Sequence, residues 1–169
     1  MSRGFVKEDD QQEIPIVPPR AHLPAGVSNY VTQAGMNELL AEKQALMDER
    51  DNLSSDNESE KQISLNHINA KLQLLNSRIA EAKIVNLDDQ PQNEVRFGAS
   101  VTLRIEATSS IQTFQIVGVD EADVSKGKIS FLSPLAQILI NKGVGNKAIL
   151  KQAKENRVFE ILGIAYGEV

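Results

Sequence analysis

The chain has 169 residues, 41% of them hydrophobic and only 4% aromatic, a composition that suits one ordinary domain or two small ones. A net charge of -5 excludes attraction to free nucleic acid through clustered basic residues, because that mode needs Lys and Arg to neutralise phosphates. Cysteine is absent, which excludes a disulfide framework, a thiolate metal site and a cysteine nucleophile; with a charged N-terminus and no apolar run of spanning length, the expected setting is the cytoplasm.

Residues 1–28 carry Asp9, Asp10, Pro15, Pro18, Pro19 and Pro24, which predicts an extended leader that cannot sustain a helix. Residues 29–87 predict a hairpin of two helices. Thr32 is suited to cap the first, in which Met36, Leu39, Leu46 and Leu53 follow coiled-coil spacing, with Lys43 and Arg50 laying their stems along the seam. In the second, Leu65, Ile68, Leu72, Leu75, Ile79 and Ala82 recur in steps of three and four. Each stretch can seal the other. Between them, Ser55 with Glu58 and Ser59 with Gln62 form two overlapping capping boxes, so the chain is expected to turn back at about Asp56 to Lys61. From Asp48 to Glu60 there are six acids against one base, Arg50. A solvated helix face explains such a run as well as composition can; the position at a hairpin tip suggests carboxylates presented to another molecule. A polar linker, "KIVNLDDQPQNE", follows.

Residues 95–169 predict a small α+β domain. "SVTLRIE" places Val101, Leu103 and Ile105 on one face, and "TFQIVGV", "KISFL" and "NRVFEILGIAY" are further strand patterns. Ser133 and Pro134 are an N-cap and first-turn pair for a helix "PLAQILINK" ending at Gly143, giving a bent antiparallel sheet with one helix on a face. His22 and His67 have neither metal-ligand nor triad spacing, and "KGVGNK" lacks the Lys-Ser/Thr ending of a phosphate loop and is a turn.

The motifs "FGASV", "IVGVDEAD", "ISFLSPLA" and "FEILGIAY", in this order and spacing, resemble the C-terminal domain of the bacterial GreA/GreB transcript cleavage factors. "YVTQAGMNELLAEKQAL" and "AEAKIVN" resemble the two ends of that family's N-terminal hairpin, so the likeness runs from Tyr30 to Tyr166. The resemblance implies an antiparallel coiled coil followed by an FKBP-like domain that docks at the rim of the secondary channel of bacterial RNA polymerase. It also implies that the tip acids help hold a second Mg²⁺ in the polymerase active site, where the extruded 3′ end of a backtracked nascent RNA is cleaved. Two-metal phosphoryl chemistry uses hard carboxylate ligands of this kind. On this likeness Asp56, Glu58 and Glu60 are the candidate catalytic carboxylates, with Asp56 and Glu58 as Mg²⁺ ligands only within the complex. Asp120, Glu121, Asp123, Ser133 and Pro134 match the polymerase-contacting segment. No intrinsic cofactor, no membrane and a monomeric accessory factor rather than an enzyme are expected.

The tip departs from the family form Gly-Asp-Leu-x-Glu-Asn-x-x-Tyr. With Asn57 on the motif's Asn, Asp56 replaces the Glu, Leu53 falls on the Asp position and the Tyr is absent. Shortening each arm symmetrically by one heptad removes about 10 Å of reach. A non-cleaving channel regulator therefore stands beside the cleavage factor. From other classes, an FKBP-like prolyl isomerase or chaperone has only Phe97, Phe114, Phe131, Phe159 and Tyr166 to line a pocket, and a self-dimerising coiled coil competes with the partner helix in the same chain.

Overall fold

A computed structural model describes residues 15–167, so residues 1–14 of the expected leader lie outside the described residues. From Pro15 to Ser28 the backbone forms neither helix nor strand, as four prolines with fixed φ and no N–H dictate. Strand β1 (Asn29–Val31) then pairs in parallel with β2 (Ala82–Ile84). The hairpin lies between them: α1 (Gln33–Asp51) and α2 (Glu58–Glu81). Periodicity does not disclose this ribbon, because each strand has three residues and its partner lies at the far end of the hairpin.

The seam is firmest at the foot. Leu39 and Leu75 are buried with Val31, and Met36, Leu46, Ile79 and Ala82 pack around them. Ile68 and Leu72 are also buried, whereas Leu65 and Leu53 are half-buried and Ile63 is 61% exposed near the tip. The reversal occupies residues 52–57, earlier than the expected Asp56 to Lys61. Neither expected capping box starts α2. Asn57 does, its Oδ1 accepting from the N–H groups of Ser59 and Glu60, while Ser55 Oγ accepts from the Asn57 N–H. Asn is at least as strong a cap as Ser, and here it can satisfy two free donors.

The second half forms a five-stranded sheet in the order β5-β4-β3-β7-β6. Its strands are β3 (Ser100–Ile105), β4 (Ile111–Val117), β5 (Lys128–Ser130), β6 (Lys147–Leu150) and β7 (Arg157–Ala165), with α3 (Pro134–Leu139) between β5 and β6. The architecture is α+β. The sheet is mixed rather than wholly antiparallel, because β4 and β5 are parallel. A register shift between Thr102 and Leu103 against β7 curls it, as an extra residue in one strand does. Val101, Leu103, Ile116, Leu139 and Ile161 are fully enclosed in the core. The helix stops well before Gly143: Ile140 caps it, and Asn141 takes a left-handed conformation (φ 71°) to donate its N–H to the Val95 carbonyl. Ser133 and Pro134 open it as expected.

The linker is sewn to the last strand by Tyr166, whose hydroxyl donates to the Glu94 carbonyl and accepts from the Arg96 N–H at 2.8 Å. Burial raises the Tyr166 phenol above its ordinary value, with the Arg96 N–H opposing. Tyr166→Phe is expected to cost about 1 kcal/mol at neutral pH. A folded-state value raised above the unfolded one gives stability that is present below about pH 10 and lost as pH rises through the raised value. Chemical denaturation of both proteins at neutral and alkaline pH should show the gap closing.

Candidate functional site

Asp56, Glu58 and Glu60 are all exposed at the tip, and among the described residues no ion pair or side-chain hydrogen bond engages their carboxylates. Glu58 and Glu60 lie in the first turn of α2, where the positive end of the helix dipole favours carboxylates. Residues two apart on a helix do not face each other, so these two project to different sides and do not converge. Among the described residues no group of three or more His, Asp or Glu could hold a metal ion. The tip offers hard oxygen donors suited to Mg²⁺, but as a partial set that needs ligands from another molecule. Along α1, 19 residues at 1.5 Å each carry these acids about 28 Å from Thr32.

Asp120 and Glu121 lie at the other end of the arm and are turned inward. Thr32 Oγ1 accepts the Gly35 N–H at 2.9 Å as the N-cap of α1 and donates to the Glu121 carboxylate, with Oε2 at 3.1 Å. Only 3% of the Glu121 side chain is exposed, and Lys128 Nζ stands 4.0 Å from it. The approach is close enough to exclude side chains on both sides. A Cβ on Gly35 would lie 2.8 Å from Glu121 Oε1, and one on Gly118 would overlap the Tyr30 carbonyl oxygen. Tyr30 also packs its ring on Phe97 and Phe131, at 5.9 and 5.8 Å between centroids, so β1 is bound to the sheet domain through an aromatic triad.

Asp120 faces two arginines. Arg20 Nε donates to Oδ1 at 3.0 Å, and Arg78 Nε lies 3.4 Å from Oδ2. Glu42 accepts two further bonds from Arg20, at 2.8 and 3.0 Å, and with Asp120 raises the guanidinium above its ordinary value. Asp123, Ser133 and Pro134 remain nearer the surface. The Ser125 hydroxyl, then its N–H, holds the Asp123 carboxyl below the usual range, and Ser133 Oγ accepts from the Ala136 N–H at the start of α3.

Two grooves flank the arm's foot. One of about 400 Å³ runs between the leader, α1, α2 and Asp120; the other, about 980 Å³, lies between the start of α1 and the β4–β5 edge. Neither is lined by an aromatic side chain, and the five aromatics weighed for an isomerase pocket belong to the core or pack against it.

Arg20, Glu42 and Arg78 were not among the expected site residues. One signal does exist: Arg20 is the lone Lys or Arg between Glu8 and Glu42, directly after two prolines.

Thr32→Ala removes a cap worth about 1 kcal/mol and strands a buried carboxylate at about 1–3 kcal/mol. The melting temperature should fall by several degrees. Thr32→Ser, which keeps the hydroxyl, should recover most of the loss; equal melting of the alanine and wild-type proteins would refute the role given to the hydroxyl.

Residues 90–166 match the family model described as "Transcription elongation factor, GreA/GreB, C-term". The chain is 39% identical over 127 residues to transcription elongation factor GreA of Methylobacterium sp. (strain 4-46), covering 75% of this chain and 78% of that protein. It is 38% identical over 100 residues to GreA of Maricaulis maris (strain MCS10), covering 59% of this chain and 64% of the relative's length, so that match spans under two thirds of the curated protein. A solved GreA/GreB factor from Nitrosomonas europaea overlaps 83% of this chain and 99% of its own at 17% identity and a TM-score of 0.41. The chain belongs to the GreA/GreB family of transcription elongation factors.

Proposed function

We propose that this protein is an accessory factor of bacterial RNA polymerase that enters the secondary channel and promotes cleavage of backtracked nascent RNA, rescuing arrested complexes in the cytoplasm. The observation that carries the reading is the placement of exposed, unengaged acids at the end of a two-helix arm, in a chain of this family. The sheet domain docks at the channel rim through the Asp123, Ser133 and Pro134 surface. Asp120 and Glu121 contribute from within by holding the arm.

Within the complex, Asp56 and Glu58 would hold a Mg²⁺ shared with polymerase, an ion that supplies charge stabilisation of the attacking and leaving oxygens. The chain's own part is to present carboxylates on a capped helix end and to bring them in on a stiff arm. The second reading, a non-cleaving occupant of the channel, is favoured by the departure of the tip from the family form, with Leu53 on the Asp position and the Tyr absent, since ligand donation requires placement within a fraction of an ångström.

Backtracked elongation complexes built with polymerase from the same organism decide between them. The first reading expects shortened 3′ fragments on addition of the protein with Mg²⁺. Asp56→Asn, Glu58→Gln and Glu60→Gln together should abolish the fragments while competition with another channel-binding factor persists. Cleavage by the triple variant at the wild-type rate would sink the assignment of these acids; competition without cleavage by the wild type would establish the non-cleaving reading.

A further inference from the structure

The leader makes contacts that neither the coiled-coil seam nor the sheet requires. Its Arg20 is 19% exposed and uses its guanidinium as a fork: Nη1 and Nη2 grip both carboxylate oxygens of Glu42 on α1, and Nε grips Asp120 of the sheet domain. One residue on, the Ala21 carbonyl accepts from Arg78 Nη2 on α2 at 2.6 Å. Arg78 in turn faces Asp120, and its own carbonyl accepts from Asn29 Nδ2 at 3.0 Å. Two leader residues thus join both helices to the loop between β4 and β5. Among the described residues, Arg20 gives the Asp120 carboxylate its one hydrogen bond, for Oδ2 has none.

The position along the arm matters more than the number of bonds. Thr32, the aromatic triad and the β1–β2 ribbon all hold the hairpin at its foot, where a small tilt changes little. Glu42 stands ten residues up α1, about 15 Å from Thr32 at 1.5 Å per residue. A restraint there opposes tilt with a lever. Without it, a tilt of about 10° at the foot would carry a tip about 28 Å away through about 5 Å.

The leader is suited to such a task. Pro18 and Pro19 precede Arg20 and Pro24 follows it, so the free segment has less conformational freedom to lose on docking. A bidentate Arg fixes orientation as well as distance, which a lysine's point charge does not.

We propose that the segment Pro18–Ala21 is a clasp, with Arg20 as a positioning residue, that sets the direction in which the acidic hairpin leaves the sheet domain. The functional consequence rests on the reading of the tip as a polymerase probe; the clasp itself does not, and can be measured in the free protein.

The absence of cysteine allows clean labelling. Spin labels on Gln62→Cys near the tip and Lys151→Cys in the sheet domain report the arm's direction by pulsed electron spin resonance. The full chain should give a narrow distance distribution. Arg20→Ala should shift it or broaden it about twofold, Arg20→Lys should recover it only in part, and circular dichroism should show the helices retained. Should Arg20→Ala lose helix content, Glu42→Ala, an exposed-face change that keeps helix propensity, gives the same reading. Unchanged distributions in folded Arg20→Ala or Glu42→Ala would overturn the clasp. Cleavage and channel-competition assays on the same variants test the other reading separately: a wild type that neither cleaves nor competes, with a broadened Arg20→Ala distribution, keeps the clasp and removes the probe.

Discussion

The hydroxyl of Thr32 is the point on which the two halves of this molecule meet. It satisfies a free N–H at the start of α1 and, in the same position, donates to the buried carboxylate of Glu121. A carboxylate enclosed to this degree is tolerated only when its oxygens are bonded and a positive partner is near. Thr32, Lys128 and the positive end of α1 together provide both. Gly35 follows from the same contact, since a side chain there would meet the Glu121 carboxylate, and Gly118 follows from the approach of β1 beside it, where a side chain would meet the Tyr30 carbonyl. What would otherwise be two domains on a polar linker becomes an arm fixed to a base.

The tip is built on opposite terms. Its acids stand in water, where mutual repulsion at high dielectric is weak and further screened by salt. Asn57 caps the first turn of α2 through backbone N–H groups, with no hydrogen bond to any of the three carboxylates. Stability at this end therefore comes from backbone capping and leaves the side chains unengaged, whereas at the foot the carboxylates themselves form the joint. The same residue type has two roles, separated by burial and by what lies within hydrogen-bond reach.

Much of this was legible in the residues. Leu39, Ile68, Leu72 and Leu75 announce the seam by spacing, Thr32 and Ser133 announce helix starts, and Val101, Leu103 and Ile105 announce a half-buried strand. What escaped is what depends on distance along the chain. The β1–β2 ribbon, β6 and the parallel β4–β5 pair are short segments whose partners no local period can specify. Helix ends were decided by one or two hydrogen bonds each: Asn57 over Ser55 or Ser59, and the Asn141 N–H reaching Val95 before Gly143 could act. Among the site residues, the tip acids were visible as a charge run. The inward turn of Asp120 and Glu121 was not, because an acidic loop reads the same whether it faces water or an arginine on a leader a hundred residues away.

Stiffness along the arm is graded, and the grading follows from where apolar area is buried. At the foot, Leu39 and Leu75 are enclosed among neighbours, and a Leu truncated there loses both transfer energy and packing, about 2–5 kcal/mol. Toward the tip the seam thins to half-buried Leu65 and Leu53, and Ile63 stands mostly in water, so opening the last turns sacrifices little apolar burial. On the function proposed above, a rigid foot with a yielding end suits delivery of charged groups into a site whose final geometry is set by the partner. The foot fixes direction over about 28 Å, where error is magnified, and the last turn adjusts over short distances, where adjustment is cheap. An arm stiff throughout would need its length and twist matched in advance to the partner; one yielding throughout would lose aim before it arrived.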